Sequence, residues 1–166
     1  MFTYLDTTGS AKTLQQLLEV AQAQPDVKGL LVLAADANGF VPERLDPLLQ
    51  AVRLPVFGGV FPAIIYQGRH YTTGSVIVGL PVAPRMTTIH ALSRATPAEL
   101  EAAMAALDDV NDTHGTAFCW ADGFSQQLPL LLQAFHSQVG LKYKVLGGGA
   151  GSLDLHPKPC IITNAG

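Results

Sequence analysis

Cys119-Trp120-Ala121-Asp122-Gly123-Phe124 is an apolar run ending in an acidic turn, and a related run stands earlier in the chain. Ala35-Asp36, followed by Gly39-Phe40, aligns with Ala121-Asp122-Gly123-Phe124 once a short gap is allowed. Further matches follow in the same order. Pro47-Leu48-Leu49-Gln50-Ala51 echoes Leu131-Leu132-Gln133-Ala134, and Val56-Phe57-Gly58-Gly59 matches Val145-Leu146-Gly147-Gly148. Ile64-Ile65-Tyr66 matches Ile161-Ile162-Thr163. The offset grows from about 86 to about 97 residues through insertions. One such coincidence between two α/β segments carries little, but an ordered series indicates duplication.

The elements between these matches repeat as well. In the first copy, Phe2–Leu5 reads as a strand, and Ser10 caps a helix to about Ala23 whose Leu14, Leu17, Leu18 and Ala21 make one apolar stripe. Gly29–Ala35 is apolar throughout, as a covered central strand should be. A helix is expected over about Pro42–Val52, a strand over Leu54–Val60, and a hairpin of Ala63–Tyr66 and Tyr71–Gly79 across Gln67-Gly68-Arg69. In the second copy, Thr88–Leu92 is the opening strand, and Thr96, Pro97 and Glu99 give strong helix-start chemistry. Thr116–Ala121 is the next strand, then a helix over about Ser125–Val139, a strand Lys144–Gly147 and another at Pro159–Thr163.

The fold class is therefore α/β: a tandem duplication of a β-α-β-α-β-β(-β) unit, with mixed sheets covered by helices. Residues 1–84 form the first repeat unit and residues 85–166 the second. The second copy stops at Gly166, before a counterpart of Tyr71–Gly79, so the reading expects a fragment lacking its last strand. A naturally shorter terminus is the alternative.

Composition narrows the function classes. The 166 residues are 48% hydrophobic and 14% charged, with a net charge of −3, and basic residues are scattered singly. That pattern gives no footprint for nucleic acid. Apolar runs such as Leu30–Ala35 and Val76–Leu80 are too short to cross a bilayer, and the start lacks signal-peptide character. Cys119 and Cys160 lie in apolar strand-like segments and read as buried free thiols, which places the protein in the cytoplasm. His70, His90, His114, His136 and His156 have no metal-like spacing, and no cofactor is implied.

Asp36 and Asp122 each follow an apolar strand and precede a helix, where open α/β sheets place ligands. Each is either a turn or cap residue or a carboxylate that receives a ligand amine or hydroxyl. Gly123 and Phe124 continue the Asp122 turn. Gly147, Gly148 and Gly149 are either a place of close backbone approach or a nest of N–H groups for an anion, with Gly58 and Gly59 as counterparts. The cluster is neither a P-loop nor a dinucleotide fingerprint. Trp120, Phe124, Phe40 and Tyr66 are core residues or walls of a small pocket. A hydrolase or transferase using Asp122 or Ser125 with a distant His is an alternative, and a partner-binding or structural module is another.

The Ala121-Asp122-Gly123 turn with its Leu-rich helix resembles the FIST sensory domain family. So does Lys144-Val145-Leu146-Gly147-Gly148-Gly149-Ala150-Gly151 followed by the strand at Cys160–Thr163. The likeness spans nearly the whole chain and corresponds to the family's N-terminal region. It implies a non-catalytic sensory domain of bacterial signal transduction that binds a small molecule, with amino acids as the candidate class. It also implies a C-terminal FIST region or a separate signalling partner, and it supplies no catalytic residues.

Overall fold

A computed structural model describes residues 2–107, 115–140 and 143–166. The chain is a mixed α/β protein of repeated β-α-β-α-β-β-like units, and it divides into two compact units, Met1–Pro84 with Ala150–Gly166 and Arg85–Gly149.

In the first unit, β1 (Phe2–Asp6) leads to α1 (Ala11–Gln22), then β2 (Gly29–Ala35), α2 (Pro42–Gln50) and β3 (Val56–Phe61). The short strands β4 (Ile64–Tyr66) and β5 (Arg69–Tyr71) form a hairpin, and β6 (Ser75–Leu80) returns to the sheet. α1 starts where Ser10 Oγ accepts the Thr13 N–H at 3.1 Å, and it buries Leu14, Leu18 and Ala21 at i, i+4 and i+7. β2 is central: β3 runs parallel to it on one side and β6 antiparallel on the other. β1 pairs antiparallel with β6, from Phe2↔Gly79 to Asp6↔Ser75. Leu14, Leu18, Leu30, Val32, Leu49 and Ile77 share one buried cluster.

The fifth strand of this sheet comes from the far end of the chain. β9 (Ile161–Thr163) lies antiparallel on β3, with Phe57↔Thr163, Gly58↔Ile162 and Gly59↔Ile161. Ile162 is 1% exposed within the same core. Asn164 fixes the end of this pairing: its Oδ1 accepts the Val56 N–H at 2.6 Å, and its Nδ2 donates to the Leu54 carbonyl at 3.0 Å.

The second unit contains α3 (Pro97–Ala105), β7 (Gly115–Asp122), α4 (Leu128–Val139) and β8 (Tyr143–Ala150), with β7 and β8 paired. Its core is Leu100, Met104, Ala121, Leu131, Ala134 and Phe135. α3 begins with a capping box, in which Thr96 Oγ1 accepts the Glu99 N–H at 3.3 Å while Glu99 Oε2 accepts the Thr96 N–H at 2.7 Å. The first bond lowers the cost of the orphan helix-start donors, so Thr96→Ala should lose about 1 kcal/mol in a denaturant melt. An unchanged midpoint would mean the box contributes nothing.

Several expected elements differ. Thr88–Leu92 is not a strand: a 3-10 turn occupies Leu92–Arg94, and Ala91 has φ +52. In the first copy the equivalent strand is held by its ladder with β6, and among the described residues Thr88–Leu92 has no such ladder. The expected strand Tyr71–Gly79 divides at Gly74, whose N–H donates to Asn38 Oδ1 at 2.7 Å while its carbonyl accepts from Asn38 Nδ2 at 2.8 Å. The hairpin turn is the pair Gln67-Gly68, with φ +49 and +74, so Arg69 belongs to β5. The helix expected from Ser125 begins at Leu128. The strand expected to stop at Gly147 continues through the glycines to Ala150.

Candidate functional site

β2 delivers Asp36 to the carboxyl end of the sheet, where it opens a 3-10 turn closed by Gly39 at φ +64. The carboxylate does not cap α2, whose N-cap is Val41. It is engaged instead by a distant segment: Lys158 Nζ lies 2.7 Å from Oδ1, and the Leu153 N–H donates to Oδ2 at 3.3 Å. Asp36 is only 13% exposed at the side chain. The hydrogen bond to Asp36 raises the Lys158 ammonium above the ordinary lysine value.

The segment 151–160 that carries Lys158 is a strap with both ends fixed on one residue. The Gly151 N–H donates to the Val60 carbonyl at 2.9 Å, and the Val60 N–H donates to the Cys160 carbonyl at 2.8 Å. Between these ends, Ser152 is buried and its Oγ donates to Asp154 Oδ1. The His156 N–H donates to the same oxygen at 3.1 Å. These two bonds, led by Ser152, hold the Asp154 carboxyl below its usual range. Asp154 Oδ2 also stands 3.8 Å from Lys158 Nζ. Leu153 and Leu155 are exposed at the tip, and Leu155 has φ +59. Compact loops with joined ends are frequently functional.

The strap contacts have a definite pH window. A raised Lys158 contributes fully below the unfolded lysine pKa of about 10.4 and loses its contribution as pH rises through the folded value. A lowered Asp154 contributes above the unfolded value of about 3.9 and loses it as pH falls through the folded value. NMR of the Leu153 and Leu155 methyls should therefore show shifts at both pH extremes, as Lys158 deprotonates and as Asp154 protonates. Methyls that stay unmoved at either extreme would contradict these contacts.

Gly58 and Gly59 lie inside β3, and Gly147, Gly148 and Gly149 inside β8, not in loops beyond the strands. Gly58 has φ +152, and a Cβ there would overlap the Val32 carbonyl oxygen. Gly147 has φ +154, and a Cβ there would overlap the Cys119 carbonyl oxygen in the same way. Gly149 backs onto the Asp122 turn, where an added Cβ would meet Gly123 Cα at 3.0 Å. Gly148 faces open space.

In the second unit, Asp122 ends β7 and its Oδ1 accepts the Phe124 N–H at 2.9 Å. No ion pair engages Asp122 among the described residues, in contrast to Asp36. Gly123 and Phe124 are exposed, Phe124 by 41%. Ser125 Oγ accepts the Gln127 N–H at 3.3 Å, a turn bond ahead of α4. Trp120 stacks on Phe118 at 6.4 Å, while Ala117, Cys119 and Ala121 pack with the helices. Phe40 packs on the first unit's core. Neither Cys119 nor Cys160 is in a disulfide, and burial pushes the Cys119 thiol up. His136 sits edge-on to Phe135, and His114 lies outside the described residues. No metal-binding cluster and no helix long and apolar enough to cross a membrane occur among the described residues.

Two features escaped the sequence reading. Asp6 is 2% exposed and accepts from the Thr8 N–H and Oγ1, both at 2.7 Å, and from the Gly9 N–H at 3.0 Å. The signal was available in Asp6-Thr7-Thr8-Gly9-Ser10, a strand-end Asp followed by hydroxyls and a glycine. The second feature is an open cavity of about 350 Å³ lined by Ile89, His90, Arg94, Glu99 and Ala103. It adjoins the segment that was expected to be a strand.

The comparison with protein families matches residues 14–166, nearly the whole chain, to the FIST N domain. No curated protein and no solved structure matches the chain. FIST domains are non-catalytic sensory modules of signal transduction. The chain therefore belongs to the FIST N domain family.

Proposed function

We propose that this chain is a cytoplasmic small-molecule sensory domain in which Asp36 receives the cationic group of the ligand, an amino acid or a related amine. The observation that carries this reading is the Lys158 ammonium held 2.7 Å from the Asp36 carboxylate under the 151–160 strap. A site that already accommodates one ammonium has the charge and hydrogen-bonding capacity for another. Ligand binding would then replace Lys158, shift the strap between closed and open states, and pass that difference to a C-terminal FIST region or a separate partner. Gly58 and Gly59 of β3 are the proposed glycine side of this site. The Asp122, Gly123 and Phe124 turn with Gly147, Gly148 and Gly149 is its proposed counterpart in the second copy. Two cysteines outside any disulfide agree with a reducing compartment.

A thermal-shift screen of amino acids and small amines against the full chain should yield a stabilising compound. Removing the internal competitor by Lys158→Gln should tighten that compound's binding, by about tenfold on an ordinary coupling scale. Weaker binding in Lys158→Gln would reverse the proposed role of Lys158, and a silent screen would count against sensing of this ligand class.

A further inference from the structure

We propose that the outer edge of β8 is a docking surface for an extended, β-branched segment of a partner protein, added antiparallel as an extra strand. The duplicated sheet itself states what such an edge takes. In the first unit, Val56, Val60 and the intervening Gly58 turn their backbone groups away from β2, and that edge is covered by Ile161-Ile162-Thr163 of β9. The placement of Gly147 against Cys119 repeats that of Gly58 against Val32, which fixes the correspondence between the strands. By alternation, Val145, Gly147 and Gly149 are the residues of β8 that turn their N–H and C=O groups away from β7.

Among the described residues no strand covers that edge. There β7 and β8 make a two-stranded sheet, and residues 144–149 are all exposed, whereas Val56 in β3 is fully buried. Val145 is 41% and Leu146 53% exposed, so the edge is apolar as well as unpaired. No proline interrupts it, and the only charge within it is Lys144. Natural sheets protect such edges, and an open one is a template for strand addition. The chemistry of the occupant follows from β9: at least three extended residues, apolar and β-branched on the core side, with backbone N–H groups free to pair.

The probe is a synthetic peptide copying residues 158–165 with Cys160→Ser, added to the full chain and followed by amide hydrogen exchange. Exchange at Val145, Gly147 and Gly149 should slow by about tenfold or more, with β3 unchanged. The same peptide N-methylated on the residues that face the edge should give no slowing, without any change to the protein. Val145→Pro, which removes one outward N–H, should weaken peptide binding about tenfold while the melting temperature holds. The proposal is overturned by unchanged exchange at saturating peptide, or by protection at β3 instead, which would signal displacement of β9. Protection of the three amides in the chain alone would also overturn it. A dependence on protein concentration would then assign the edge to a second copy.

Discussion

Replacing Gly58 by valine is expected to abolish cooperative folding of the first unit. At φ +152 an L residue is strained, at a cost of about 1–3 kcal/mol. The added Cβ would also overlap the carbonyl of Val32, which is backbone held in the β2–β3 ladder and cannot swing aside. Overpacking of this kind adds roughly 1–3 kcal/mol or more. The sum, about 2–6 kcal/mol, is comparable with the whole stability of a small unit. Gly147→Val should do the same to the second unit, because the Cys119 carbonyl occupies the matching place. Gly148→Ala is the control: nothing stands within 4 Å of its added Cβ, so the loss should stay below about 1 kcal/mol. Thermal melts followed by circular dichroism decide the matter. Equal losses for Gly148→Ala and Gly147→Val would show that the glycines are not there for close strand approach.

Asp6→Ala is expected to lose roughly 3 kcal/mol. The carboxylate is almost fully buried at the end of β1 and accepts three bonds that shape the turn into α1. Loss of hydrogen bonds to one charged group costs about 1.5–3 kcal/mol, at the upper end here because the Thr8 and Gly9 N–H groups are left without an acceptor. The Asp6 backbone also lies against Gly74, which Asn38 binds from the β2 end, so the damage should spread to the adjoining turns. A denaturant titration read at constant slope gives the number directly. A loss below about 0.5 kcal/mol would show that water replaces the carboxylate there.

The repeat was legible because it rests on local chemistry. Gly58 and Gly147 occupy matched positions since each must let a neighbouring carbonyl approach, and both sequence and structure record that need. β2 was legible because seven consecutive apolar or small residues fit a strand covered on both faces. What sequence could not reveal was long-range pairing. Nothing around Ile161-Ile162-Thr163 says that it completes the sheet of β3, more than ninety residues earlier. The same limit hid the partner of Asp36: Lys158 is one of ten basic residues, and only the strap brings it to the carboxylate. Thr88–Leu92 shows the converse. Its pattern suits a strand, but a strand needs an edge to bind, and pattern alone does not supply one.

The central claim is that Asp36 is where a small molecule is sensed. Isothermal titration of the best-stabilising compound into the wild type, Asp36→Asn and Arg94→Gln tests it most directly. The account predicts saturable binding to the wild type and to Arg94→Gln, with affinity falling at least about tenfold in Asp36→Asn while its far-ultraviolet spectrum stays native. Undiminished binding by Asp36→Asn, with loss in Arg94→Gln, would move the site to the cavity beside α3 and contradict the account.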